Sequence, residues 1–226
     1  MPMPAATLAE RYAAVKAQVR PGVTLVAVSK KRTAEEVRAL YDLGHRDFGE
    51  NYAQELREKQ AHLPPDIRWH FIGHLQRSNA RHIVPIAHLI HGIDSEALLD
   101  EVEKRAAANG RPCAVLAQVH IAREETKHGL SADEARALGL HWLQGAWPNV
   151  LLQGLMGMAT NTTDMRAVRA EFDGLAELHT EIRSLLGKQG SGFNTLSMGM
   201  SGDLAEALAA GSNLVRVGTA IFGERG

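Results

Sequence analysis

Residues 196–223 read LSMGMSGDLAEALAAGSNLVRVGTAIFG. A Gly/Ser-rich turn, SMGMSGD, runs into a helical stretch, DLAEALAAG, whose helix starts near Ser201 and is read over residues 204–210. A short apolar strand, NLVRV, comes next; it carries Arg216 and ends at Gly218-Thr219. Turn, helix N-terminus and strand end together make a phosphate cradle. The first N–H groups of a helix lack intrahelical acceptors and sit at the positive end of its dipole. Gly199, Gly202 and Gly218 let backbone approach an anion with no Cβ in the way. In an eight-stranded α/β barrel, the loops after the last two strands are where such a site is built. This stretch therefore reads as the end of a barrel, if the rest of the chain supplies the earlier strands.

It does. Apolar runs consistent with strands lie at residues 24–29, 46–50, 68–72, 87–91, 113–121, 150–156, 194–197 and 214–217. Between them fall amphipathic stretches with helix start signals: Thr33 with Glu36, Ser95, and Ser131 with Glu134. A further helix, residues 5–19, precedes the first strand, and the longest spans residues 164–186. Residues 187–192 read as a loop, and LHWLQGAWPNV as a broken or second helix before a turn. A doubly wound open sheet would carry a Gly-rich turn after its first strand, and VSKKRT has no glycine. The expectation is one domain over residues 1–226, an α/β (β/α)₈ TIM barrel with an extra N-terminal helix.

A formal net charge of −1 excludes a global field that recruits nucleic acid or anionic lipid. The single cysteine, Cys113, lies in the apolar run PCAVLAQV and reads as a buried, inert thiol in a reducing compartment. No apolar window is long enough for a membrane span, and the N-terminus has no signal-peptide core. The expectation is a cytoplasmic protein.

Two residues stand out chemically. Lys30 follows TLVAVS directly, at the strand end where barrels keep their function, and a partly desolvated lysine there is a candidate imine former. A solvated lysine beside Lys31 and Arg32 is the plainer alternative. Arg216 sits between Val215 and Val217, where its charge must be paired or bonded. A salt bridge inside the barrel and a ligand contact both fit. One ligand could meet Ser201, Gly218-Thr219, Arg216 and Lys30 together: a phosphate, a ring atom that accepts a hydrogen bond, and a carbonyl. Pyridoxal 5′-phosphate has all three. Of the histidines, His70 and His74 are the only close pair on a strand-to-loop segment, and no acid or cysteine nearby completes a metal set. No metal is expected. Lys127 and His128 lie on the functional face, where a solvated loop and a ligand contact are both open.

Taken in order, VAVSK, FGENYAQE, WHFIGHLQ, ETKHGL, GLMGM, LSMGMSGDL and NLVRVGTAIFG make the chain resemble the pyridoxal 5′-phosphate homeostasis proteins, single-domain relatives of the alanine racemase barrel (PLP fold type III). The resemblance covers nearly the whole chain. It implies a Schiff base at Lys30, phosphate binding by Ser201, Gly218 and Thr219, and Arg216 facing the pyridine nitrogen. It also implies Asn51 beside the ring, with Met156, Ser197 and Met200 lining the pocket. The family commonly has proline where this chain has His74, and lysine where it has Asn79; Arg77 and Arg81 are the nearby basic residues. An arginine at the ring nitrogen favours the unprotonated ring, a weak electron sink. The three tyrosines, Tyr12, Tyr41 and Tyr52, all lie early, so the second base of a racemase is not visible. The resemblance therefore implies a monomeric, non-catalytic carrier of vitamin B6 cofactor serving intracellular homeostasis, with dependent apo-enzymes as candidate partners. A weak amino-acid racemase is the alternative.

Overall fold

The computed structural model describes residues 6–124 and 128–224. Helix α1 (Leu8–Gln18) precedes the alternating units β1 (Thr24–Val28), α2 (Ala34–Asp42), β2 (Asp47–Glu50), α3 (Ala53–His62), β3 (Arg68–Phe71), α4 (Arg77–Ile83), β4 (Leu89–Ile93) and α5 (Glu96–Asn109). The second half continues with β5 (Cys113–Val119), α6 (Ala132–Leu143), β6 (Val150–Gly157), α7 (Met165–Leu186), β7 (Thr195–Ser197), α8 (Leu204–Ala209), β8 (Leu214–Val217) and α9 (Thr219–Phe222). The eight strands pair in parallel and in chain order, and β8 returns to β1 with Arg216 opposite Val26, so the sheet closes. The barrel expected from the sequence is the fold.

Local chemistry explains the starts and stops. Thr33 with Glu36 and Ser131 with Glu134 form reciprocal capping boxes, as does Thr7 with Glu10 on α1. A cap of this kind stabilises its helix by about 1 kcal/mol. Ser95 caps α5, and Gly110 ends it in the left-handed region at φ 64°. Helix α1 packs on α9 at the chain's other end, where Arg11 Nε donates to Ile221 O at 2.9 Å.

Several boundaries differ from expectation: α1, β4 and β5 are displaced or trimmed by one to three residues, and three further stretches are informative. The ambiguous LHWLQGAWPNV stretch begins as the end of α6, and its tryptophans pin the turn that leads into β6. Trp142 Nε1 donates to Val150 O (2.8 Å) and Trp147 Nε1 to Asp100 Oδ1 (2.7 Å). Residues Gly187–Gly192 form a 3-10 turn, not an open loop. Helix α8 starts at Leu204, as the reading of residues 204–210 has it; the segment from Ser201 is not yet helix, because Met200 N donates to Asp203 Oδ1 (2.6 Å) and ties residues 200–203 into a turn.

Large apolar side chains such as Leu40, Phe48, Leu99 and Phe172 fill the layer between strands and helices. A smaller apolar set, Val26, Leu89, Leu116, Met156 and Leu214, packs separately. With them the lumen holds polar residues. His91 of β4 reaches Ser197 of β7, a contact between strands that are not neighbours and that must therefore cross the barrel.

Candidate functional site

Strand β1 ends at Val28 and delivers Lys30 to the mouth of the barrel beside the end of β8. There Val28, Lys30, Arg32, Met200, Ser201, Arg216, Gly218 and Thr219 line a cleft of roughly 270 Å³. Six residues singled out in the sequence thus meet in one place: Lys30, Met200, Ser201, Arg216, Gly218 and Thr219.

The backbone around Lys30 is clamped on both sides. Ser29 N donates to Gly49 O at 2.9 Å, carrying the strand pairing one step further. Lys59 Nζ donates to Ser29 O (2.8 Å), to Glu50 Oε1 (2.7 Å) and to Glu55 Oε2 (3.1 Å). Ser29 Oγ donates to the same Glu50 oxygen at 2.7 Å, and Lys31 N to Glu55 Oε2 at 2.7 Å. Lys31 adopts φ 58°, left-handed for a residue with a side chain, so the chain bends sharply just past Lys30. Glu50 and Lys59 are buried. Burial pushes the Glu50 carboxyl up, against the pull of Lys59.

The opposite wall is built mostly of backbone. Strand β8 ends at Val217, and Gly218 leads into α9, where its carbonyl accepts from Ile221 N at 2.9 Å. The N–H groups of Thr219 and Ala220 are first-turn groups with no intrahelical acceptor. A Cβ on Gly218 would stand 3.3 Å from both Val28 Cβ and Val28 O, so this backbone rides directly on β1.

Arg216 lies between the two walls and is 4% exposed. Nη1 donates to Ser197 O (3.0 Å) and Ser197 Oγ (2.5 Å), and Nη2 to Gly157 O (3.1 Å). Burial pushes its guanidinium down to about 10, with Asp203 acting the other way, so it stays a cation at neutral pH. Two of its five N–H groups, on Nε and Nη2, have no protein acceptor among the described residues. That is the donor set an acceptor atom in the cleft requires.

The remaining sequence candidates lie outside the cleft lining. Ser197 is wholly buried behind Arg216, and Met156 packs among Val26, Leu89, Leu116 and Leu214. Asn51, just past β2, holds a buried Oδ1 without a partner among the described residues. Lys127 falls outside the described residues. His128 is exposed, its ring stacked on His74 at 4.3 Å.

Sequence reasoning paired His70 with His74, and the structure separates them. His70 is buried in the lumen, hydrogen-bonded to Asp47 and His91. His74 stands at the mouth with Asp94 and His128, a group whose ligand atoms all lie within 4.8 Å of one another and could hold a metal ion. Three separate strand ends supply it, which spacing along the chain does not reveal. The Glu50–Lys59–Glu55 clamp was also missed, although its signal was present: Glu55 and Lys59 are one helical turn apart in a helix that follows an acidic strand end.

A family model described as the alanine racemase N-terminal domain matches residues 5–226. The chain belongs to that family. Within it, a pyridoxal phosphate homeostasis protein of Vibrio cholerae is 38% identical over 213 residues, covering 92% of this chain and 88% of the relative. The human protein of the same name is 39% identical over 211 residues, covering 89% and 76%. Among solved structures, PipY of Synechococcus elongatus superposes with a TM-score of 0.90 without PLP (35% identity, 96% of this chain and 100% of that one). Its PLP-bound form superposes at 0.87. An alanine racemase from Clostridium difficile shares the fold at 13% identity and a TM-score of 0.76, with 56% of its chain covered. The relatives that match along their length are named as homeostasis proteins, not as enzymes.

Proposed function

We propose that this member of the alanine racemase N-terminal-domain family binds pyridoxal 5′-phosphate in the cleft between β1 and β8, attached to Lys30 as a Schiff base, and serves intracellular B6 homeostasis as a carrier and buffer without catalysis. The observation that carries the reading is the meeting of Lys30, Arg216 and the Gly218-Thr219 turn around one cleft of suitable size. The names of the homeostasis relatives and the PLP-bound form of PipY support it.

Bound there, the cofactor would supply an aldehyde, the electrophile that an imine-forming amine requires. Lys30 Nζ is that amine, and its clamped backbone limits where it can reach. Ser201 and the first-turn N–H groups at Thr219 and Ala220 bind the phosphate, and Arg32 adds positive charge on the same rim. Arg216 donates to the ring nitrogen from its remaining N–H groups. An arginine has no proton acceptor to offer, so it holds that nitrogen unprotonated and the ring a weak electron sink. The unpartnered Oδ1 of Asn51 fits a polar substituent of the ring. Met200 lines the cleft, while Ser197 and Met156 support it from beneath.

The tyrosines agree with a carrier. Tyr12 is buried and meets His45 Nδ1 at 3.2 Å, Tyr41 donates to Asp66 at 2.7 Å, and none of the three lines the cleft. We further read the protein as a cytoplasmic monomer that hands cofactor to dependent apo-enzymes. Burial holds the lone Cys113 thiol up at about 12, in keeping with a structural role, and no described helix is long and apolar enough to cross a membrane.

The test is an absorption spectrum of purified protein before and after borohydride, beside Lys30→Ala. A yellow band that borohydride converts to a stable adduct on the Lys30 peptide is expected. A wild type that stays colourless with added pyridoxal phosphate overturns the reading. Enzyme-dependent deuterium exchange at the α-carbon of amino acids would replace carrier with racemase.

A further inference from the structure

Beneath the cleft a continuous file of polar side chains crosses the lumen. It starts at Asp47, the first residue of β2, and passes through His70 of β3, His91 of β4 and Ser197 of β7 to Arg216 of β8. None of these residues is more than 8% exposed. Asp47 Oδ1 lies 3.2 Å from His70 Nε2, and His70 Nδ1 lies 3.0 Å from His91 Nε2. His91 Nδ1 lies 3.2 Å from Ser197 Oγ, which takes a bond from Arg216 Nη1 at 2.5 Å. Branched apolar residues fill such a lumen in an ordinary barrel, and each buried polar group costs about 1–3 kcal/mol unless paired. A polar file is therefore not a device for stability.

The two ends give it a direction. Arginine only donates, and the Asp47 carboxylate only accepts. Ser197 Oγ, accepting from Arg216, passes its own hydrogen to His91 Nδ1. His91 then carries its hydrogen on Nε2 and donates to His70 Nδ1. His70 likewise carries its hydrogen on Nε2 and donates to Asp47. Running the file backwards places a doubly protonated His70 in the lumen with Arg216, and Asp47 is already shared with Arg68, which donates to both of its oxygens. Two buried cations against one shared carboxylate is the costlier arrangement.

We propose that Asp47, His70 and His91 are positioning residues for Arg216: through this one-way file they fix Ser197 as an acceptor, hold the Nη1 edge of the guanidinium away from the cleft while Gly157 O holds Nη2, and leave its remaining N–H groups aimed at the ligand. What Arg216 faces rests on the cofactor reading; the file itself does not.

The first measurement is therefore made on ligand-free protein. Nitrogen-15 NMR of the imidazoles should show neutral His91 and His70, each protonated on Nε2. Hydrogen on Nδ1 of His91, or a doubly protonated His70, overturns the direction and with it the proposal. Two substitutions then cut the file at different bonds. Asparagine at position 91 places an amide where Nδ1 was and keeps the bond to Ser197; glutamine reaches the Nε2 position and loses it. His91→Gln should alter the Arg216 guanidinium signals in ligand-free protein, weaken pyridoxal phosphate about tenfold, the value of one lost hydrogen bond, and move its absorption band. His91→Asn should restore all three to near wild type, while both variants lower the unfolding temperature alike. Equal effects of the two variants on the Arg216 signals mean a structural role only and sink the proposal. If even wild type takes up no cofactor, the cofactor reading fails, and the NMR of His91, His70 and Arg216 still decides whether the file positions the arginine.

Discussion

The two walls of the cleft are made differently. On the β1–β2 side the work is done by side chains: Lys59, Glu50, Glu55 and Ser29 form a buried, charged clamp around the backbone on either side of Lys30. On the β7–β8 side it is done by backbone, with Gly218 riding on Val28 and a short helix starting at Thr219. The difference reflects the load each wall has to hold. On the proposed reading Lys30 is a covalent anchor that must be placed to a fraction of an ångström, and its over-determined strand end suits that. A phosphate needs only converging N–H groups and open space, and any sequence that keeps the turn supplies them.

Substitutions should separate the walls. The largest effect is at Lys30→Ala, which should abolish the borohydride-stable adduct outright while thermal unfolding stays close to wild type. Next, Lys59→Met leaves Glu50 buried without its partner and should lower stability by about 3–5 kcal/mol in urea titration. Combining it with Glu50→Leu should recover most of that loss; if it does not, the clamp is not an ion pair in energetic terms. On the backbone wall, Gly218→Ala should weaken cofactor binding by about tenfold and lower stability by about 1–3 kcal/mol, because the new Cβ would press on Val28 Cβ and O, atoms held in the sheet. Ser201→Ala, one exposed hydroxyl, should cost only about two- to threefold in affinity.

A control lies away from both walls. Burial holds His179 of α7 down at about 4, its ring stacked on Phe193. The unfolded chain takes up that proton near 6.5, roughly. Stability from this residue is thus fully present above pH 6.5 and lost as pH falls toward about 4. Urea midpoints should drop by the equivalent of about 3 kcal/mol across that window, and His179→Phe should flatten the slope.

The barrel was legible because its signals are local: apolar runs, caps and turns recur in order, and three capping boxes hold their helices in the structure. The cleft was legible for a similar reason. Five of its residues fall between Met200 and Thr219, and the sixth, Lys30, sits one step past an unmistakable strand. The polar file was not legible. Which residues of β2, β3, β4 and β7 face one another across a lumen depends on how the strands are staggered when the sheet closes, and no short window carries that. His70 and His74 look like neighbours in WHFIGH, yet one points into the barrel and the other stands at its mouth. The body of α8 was read at its observed start, Leu204, while the earlier start near Ser201 gives way to a turn in which Asp203 folds back on Met200.

The seam between β8 and β1 has a consequence for how the chain matures. Every other strand pairing joins segments that are consecutive along the chain, whereas this one joins residues 24–27 to residues 214–217. Loop-closure entropy makes such a distant pairing late in folding. The cleft straddles that seam, drawing Lys30 from one side and Gly218 and Thr219 from the other. A growing polypeptide on the ribosome therefore holds Lys30 long before the cleft around it exists, and on the proposed reading cofactor uptake would mark the moment the ring of strands has shut.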